Sequence, residues 1–170
     1  MSLSANFLMI NNDIMKNLVS LDSNELSSKI EELVDSDDYD FYTINTIWNG
    51  LCFFLSGKSY DMPPDNSIIG RAIFGKEYFD GFENRDDFYI AYNGIDTIQE
   101  IVRALEDVNL KQLIAEFDTK KFMEAKVCPG IWETEEEDIL VELLTSEHRG
   151  LLSFYREALK KKMNVVISIY

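Results

Sequence analysis

Histidine and cysteine are nearly missing from this chain. One histidine, His148, and two cysteines, Cys52 and Cys128, occur in 170 residues. That scarcity removes the ligand sets from which zinc sites are built, and a pair without repeated spacing makes no disulfide framework. No metal or cofactor is expected, and a reducing compartment fits. Both cysteines have apolar neighbours in sequence (Leu51-Cys52-Phe53 and Val127-Cys128-Pro129), which favours the neutral thiol over a nucleophilic thiolate. No run approaches the roughly 18 apolar residues of a membrane span. The N-terminus has no basic region followed by an apolar stretch, so a soluble, cytoplasmic protein is expected. Met1-Ser2-Leu3 precedes the first structural pattern and reads as an appended leader outside the fold.

Positive charge is the third shortage. Sixteen Lys and Arg stand against thirty-one Asp and Glu, a net charge of −15 and a sequence pI near 4.4. Such a field repels phosphate backbones and anionic head groups, so neither nucleic acid nor an acidic membrane is an expected partner. It favours a protein with a basic surface, although the same charge also serves solubility alone.

Core-forming residues are plentiful. Hydrophobic residues make up 46% of the chain and aromatics 12%, and a chain of this length buries about 68–70% of its unfolded surface. The short run Phe7 to Ile10 reads as a strand leading into a helix over 13–20. Asp22 followed by Glu25 is a capping box, with Leu26, Ile30, Leu33 and Val34 at helical spacing behind it. The acidic run Asp35 to Asp40 lacks the glycine and the bidentate glutamate of a calcium loop and reads as a solvated linker.

Residues 43–56 carry Ile44, Ile47, Trp48, Leu51, Cys52 and Leu55 on one helical stripe, with Phe53 and Phe54 widening it. Gly57-Lys58-Ser59 then resembles the close of a phosphate-binding loop. That pattern needs a glycine where Cys52 stands, a strand before it and a helix after it. Here a helix precedes and Met62-Pro63-Pro64 follows, so Gly57 reads as a left-handed helix cap. Beyond it, a short helix should end at Gly75, and Phe88 to Tyr92 reads as a strand. Asp96 to Gln99 forms another capping box, and Asn109 and Asp118 cap helices over 110–117 and 119–125, with Leu110, Leu113, Ile114 and Phe117 turned inward. The last helical region starts at Thr134 to Glu137 and ends at Lys160 to Lys162, charges that complement its dipole. Ile139, Leu143 and neighbouring apolar positions supply its contacts, with a break near Ser146 to Gly150 and His148 exposed there. Val165 to Tyr170 is an interior strand. Residues 1–170 are expected to form one α+β domain, helices packed around a small β-sheet that includes both terminal strands.

The order of landmarks resembles the bacterial YfbM-like family, a domain of unknown function, over nearly the whole chain. Its carriers are the strand Phe7 to Ile10, the block Ile47 to Gly57, the segment Ile68 to Gly75, the segment Val127 to Trp132, and the Phe154-Tyr155 helix running into the last strand. In the family pattern a histidine takes the place of Cys52, and a Tyr-Pro pair that of Cys128-Pro129. The resemblance implies a fold and a bacterial origin, and no established activity.

The candidate ligand-binding residues are Trp48, Ser56, Arg71 and Trp132. Arg71 lies between Gly70 and Ala72, where it clamps an anion or forms a surface salt bridge. Trp48 falls on the apolar stripe and reads as core. Trp132, after the Pro129-Gly130 turn, reads equally as core or as a ligand platform. No catalytic residues are assigned. The leading expectation is a non-enzymatic protein-binding domain, accessory or immunity-type. The rival is a small-molecule-binding protein or enzyme with a cleft near Trp48, Ser56, Arg71 and Trp132.

Overall fold

Val165 to Ile169 is apolar almost throughout because both faces of its strand are covered. The computed structural model describes residues 3–36, 38–59, 67–82 and 89–170. They form five strands, β1 (Ala5–Ile10), β2 (Phe41–Ile44), β3 (Glu77–Tyr78), β4 (Tyr89–Asn93) and β5 (Asn164–Ile169), in one sheet of order β2-β1-β5-β4-β3. Every pairing is antiparallel, and β5 lies at the centre, with Ala5 opposite Ile169 on one side and Tyr89 opposite Ile169 on the other. Eight helices complete the described residues: α1 (Asn12–Val19), α2 (Ser23–Asp35), α3 (Trp48–Ser56), α4 (Ile68–Phe74), α5 (Ile95–Glu106), α6 (Leu110–Ala115), α7 (Thr119–Glu124) and α8 (Glu137–Lys161). This is an α+β fold with both terminal strands in the sheet.

Strand alternation divides the core into two. Leu8, Ile10, Ile90 and Val166 face α1 and α2, where Leu18, Leu26 and Ile30 meet them. Phe7, Met9, Ala91 and Ile167 face the other way, into a thicker layer built from α3, α4, α5 and α8. Each buried Leu or Ile contributes roughly 1.5–3 kcal/mol relative to exposure. The caps read from sequence hold for α2, where Asp22 and Glu25 form a full capping box, and for α6 and α7, capped by Asn109 and Asp118. Gly57 ends α3 at φ 71°, the left-handed conformation that costs glycine nothing.

Several expectations need correction. The helix expected over 43–56 begins only at Trp48, because Ile44 belongs to β2 and pairs with Ala5. Strand β3 carries no run of its own in sequence. Helix α5 starts at Ile95 with Gly94 at its cap, so Asp96 lies inside the first turn. Ile114, Ile139 and Leu143 are 43%, 51% and 36% exposed, not packed inward. Helix α8 runs without the expected break, and His148 is buried in it. The reason is its register: Leu140, Leu144, His148, Leu151 and Tyr155 share one buried stripe, and the His148 ring meets the Leu105 carbonyl at 2.9 Å. Leu3 belongs to the fold, packing on the core and accepting the Trp48 indole N–H at 3.0 Å. Cys52 is buried as expected, but Cys128 is exposed. Met62-Pro63-Pro64, Asp37 and Phe88 lie outside the described residues.

Candidate functional site

Two helix ends near the sheet are finished differently, and the difference locates the candidate site. At the end of α4, three side chains supply donors to the last carbonyls. Asn93 of β4 donates to the Arg71 carbonyl at 2.8 Å, Tyr155 of α8 to the Ala72 carbonyl at 2.7 Å, and Tyr89 of β4 to the Phe74 carbonyl. The Asn93 amide also reaches the Tyr155 oxygen at 3.1 Å. Burial pushes the Tyr155 phenol well above its ordinary pKa, so it remains a neutral donor. This polar cluster is structural: it satisfies the Ala72 and Phe74 carbonyls that the helix end leaves open and adds a second donor to that of Arg71, which also accepts the Gly75 N–H at 2.9 Å.

At the end of α3 no described residue donates to the carbonyls of Phe54, Leu55 or Ser56. That end opens onto a groove of about 340 Å³ facing α6 and α7. Its floor is aromatic. Phe54 and Phe122 are buried, whereas Phe53 and Phe117 are half-buried and present part of their rings. The rings form a chain of contacts, Phe53 to Phe122 at 4.8 Å, Phe122 to Phe117 at 5.3 Å and Phe117 to Phe54 at 6.1 Å. Glu116, Asp118 and Lys121 stand at the rim. Asp118 also caps α7 through the Lys120 N–H at 3.0 Å, and the Glu116 carboxylate accepts the Gln112 amide at 2.9 Å.

On the far side of Phe122 lies a second groove of about 270 Å³, walled by Trp132, Val127 and Met123 with Lys126, Cys128 and Glu133 at its mouth. A third, of about 410 Å³, separates α1 from α2 and is lined largely by polar groups, among them Asp13, Asn17, Lys29 and Glu32.

Of the four residues singled out from sequence, two lie at these grooves. Ser56 lines the groove at the end of α3, its hydroxyl tied to the Cys52 carbonyl at 2.8 Å. Trp132 lines the second but is only 3% exposed, and its indole N–H is bound to the Val127 carbonyl at 2.6 Å. Its ring lies 4.3 Å from Phe122 and so close to α3 that a Cβ on Gly50 would meet it at 2.5 Å. Trp48 is 5% exposed and packs edge-on against Phe74. Arg71 is half-buried on α4 and forms no ion pair among the described residues. None of the three grooves joins all four. The residues that sequence reasoning assigned elsewhere are Phe53, Phe54 and Phe117, read as core. Their surplus over the apolar stripe was the available signal.

The remaining interior polar groups serve packing. The His148 ring bridges α8 to the Leu105 carbonyl, and burial holds its pKa below the ordinary value. Tyr42 donates to Glu147, and burial and that carboxylate raise its pKa. Among the described residues no three His, Cys, Asp or Glu side chains stand together as a metal site, and no helix is long and apolar enough to cross a membrane.

Comparison with known proteins agrees with this geometry. Protein YfbM of Escherichia coli (strain K12) is 26% identical over 119 residues, 69% of this chain and 70% of that one. The crystal structure of a protein of unknown function, YfbM from Escherichia coli, superposes over 100% of both chains with a TM-score of 0.77 at 22% identity, a likeness of fold. Residues 1–168 match the model of the family described as Domain of unknown function (DUF1877), and the chain belongs to that family.

Proposed function

We propose that this chain is a non-enzymatic protein-binding module, an accessory or immunity-type factor of the bacterial cytoplasm whose acidic surface meets a basic partner. The observation that carries the reading is the groove at the end of α3, an open aromatic surface bounded by helix carbonyls and carboxylates. Such a surface suits an apolar anchor with a positive neighbour. The net charge of −15 extends the same complementarity over the whole molecule. The rival cleft is disfavoured because Trp48 and Trp132 direct their indole donors inward, leaving no platform for a ligand.

The test pairs two measurements. Immobilised protein should retain a basic partner at low salt and release it as salt rises, since exposed charge pairs are screened over about 8 Å at physiological ionic strength. Retention insensitive to salt assigns the contact to apolar surface instead. A thermal-shift screen against nucleotides, sugars and amino acids should show no change. A ligand at 100 times its Kd adds about 2.7 kcal/mol, or about 5–11 °C for a domain of this size. A shift of that size overturns the reading in favour of a small-molecule site.

A further inference from the structure

We propose that the groove between α3 and α6–α7 takes one kind of occupant: a partner segment that sets an apolar side chain on Phe117 and Phe53 and a Lys or Arg against the carbonyl end of α3. This deepens the protein-binding reading and rests on it.

Two helices, α3 and α6, end at this groove. A helix C-terminus carries roughly half a negative charge on carbonyls without partners. Helices α1, α4, α5, α7 and α8 offset that charge with a basic residue in the last turn, but α3 and α6, like α2, have none. The next residue past the α3 cap, Lys58, is exposed and is not among those lining the groove. Glu116 and Asp118 add full charges at the rim. The groove already holds a cation of its own, for the Lys121 ammonium approaches the Glu116 carbonyl at 3.4 Å. That contact is at the end of α6 and shows a helix end here drawing an ammonium, whereas the end of α3 receives no such donor from the described residues.

Apolar and charged features lie within one small site. The half-buried rings of Phe53 and Phe117 supply area that the core does not use. A volume of about 340 Å³ is at the low end for small-molecule pockets, which span about 300–1,000 Å³. A partner side chain or two fills it. A second copy of this chain is a poor occupant, because each copy brings a charge of −15.

The test uses the full chain, labelled with nitrogen-15, and synthetic amphipathic peptides of about 15 residues, a length at which helices are marginally stable. One peptide carries Leu at i and i+4 with flanking Lys and Arg. In two controls, Glu replaces the basic residues or Ala replaces Leu. The basic peptide should bind saturably and shift amides within 53–57 and 113–122. Both controls should bind at least tenfold more weakly. Glu116→Lys should weaken binding about tenfold, and Lys121→Gln should strengthen it several-fold by removing the resident cation. Glu31→Lys on α2, across the sheet, makes the same change in net charge and should matter much less. If Glu31→Lys weakens binding as much as Glu116→Lys, or if the shifts map to another face, the groove is the wrong site but protein binding stands. If no peptide binds saturably the proposal is overturned, while the thermal-shift result separately decides the broader reading.

Discussion

Helices α3 and α4 pack against each other and both end at a glycine, Gly57 and Gly75, yet their last carbonyls meet opposite surroundings. The end of α4 is enclosed, and Asn93, Tyr155 and Tyr89 answer its carbonyls one by one. The end of α3 opens onto a groove, and its carbonyls receive nothing from the described residues. A helix end buried away from water must find donors within the protein. An open end has no such requirement and can keep its charge for a partner. Disturbing the closed end should therefore cost stability, and disturbing the open end should cost binding.

The largest expected effect tests the wall behind the open end. Trp132→Ala removes a ring that touches both Phe122 and Gly50, and a buried Trp reduced to Ala costs about 3–5 kcal/mol. Urea denaturation measures it. A loss under 1 kcal/mol would mean that this ring is not part of the core. Next, Tyr155→Phe strips the Ala72 carbonyl of its donor, and a buried group left without a partner costs about 1–3 kcal/mol. Ser56→Ala at the open end, whose hydroxyl meets only local groups, should change stability by less than about 0.5 kcal/mol, as ordinary surface substitutions do. Equal losses in the two variants would erase the distinction between the two ends.

A smaller effect depends on pH. His148 is buried with Nε2 at the Leu105 carbonyl and Nδ1 without a partner among the described residues, and burial lowers its pKa. The unfolded chain takes up that proton near pH 6.5 whereas the folded chain resists it. The unfolded state thus binds more protons in this window, and stability falls as pH drops below about 6.5, by at most about 1.4 kcal/mol per pH unit. Urea midpoints at pH 7.5 and 5.5 should lie closer together in His148→Gln, which retains an N–H donor, than in the wild type. As the single histidine of the chain, its imidazole resonance can be titrated without ambiguity. The smallest effect on stability is that of Glu116→Lys, which should leave the unfolding free energy within about 0.5 kcal/mol of wild type while weakening binding of the basic peptide.

Much of the fold was legible because local chemistry sets its landmarks. The Asp22–Glu25 box, Gly57 and the apolar β5 each carry their own reason. What escaped depends on partners distant in sequence. Ile44 fits a helical stripe by spacing alone, and only its pairing with Ala5 makes it a strand residue. His148 looked exposed between Glu147 and Arg149, although Leu144 and Leu151 already placed it on a buried stripe. The site was less legible still. Sequence singled out the tryptophans as candidate ligand platforms within the family landmarks, but their indole donors meet backbone carbonyls inside the fold. The groove instead arises where α6 and α7 leave Phe53 and Phe117 half covered, which no single segment reveals.

The central place of β5 also sets a schedule. Strands β1 and β4 both pair with it, so the sheet has no middle until residues 164–169 have been synthesised. Ile10 waits 154 positions for its contact with Asn164, which at 5–20 residues per second is roughly 8–30 s of translation. Through that interval β1 has only the short β2 beside it. The nascent chain thus leaves the apolar β1 without its main partner longest, and a ribosome stalled before Asn164 would release a chain that has its helices and lacks the strand that joins them.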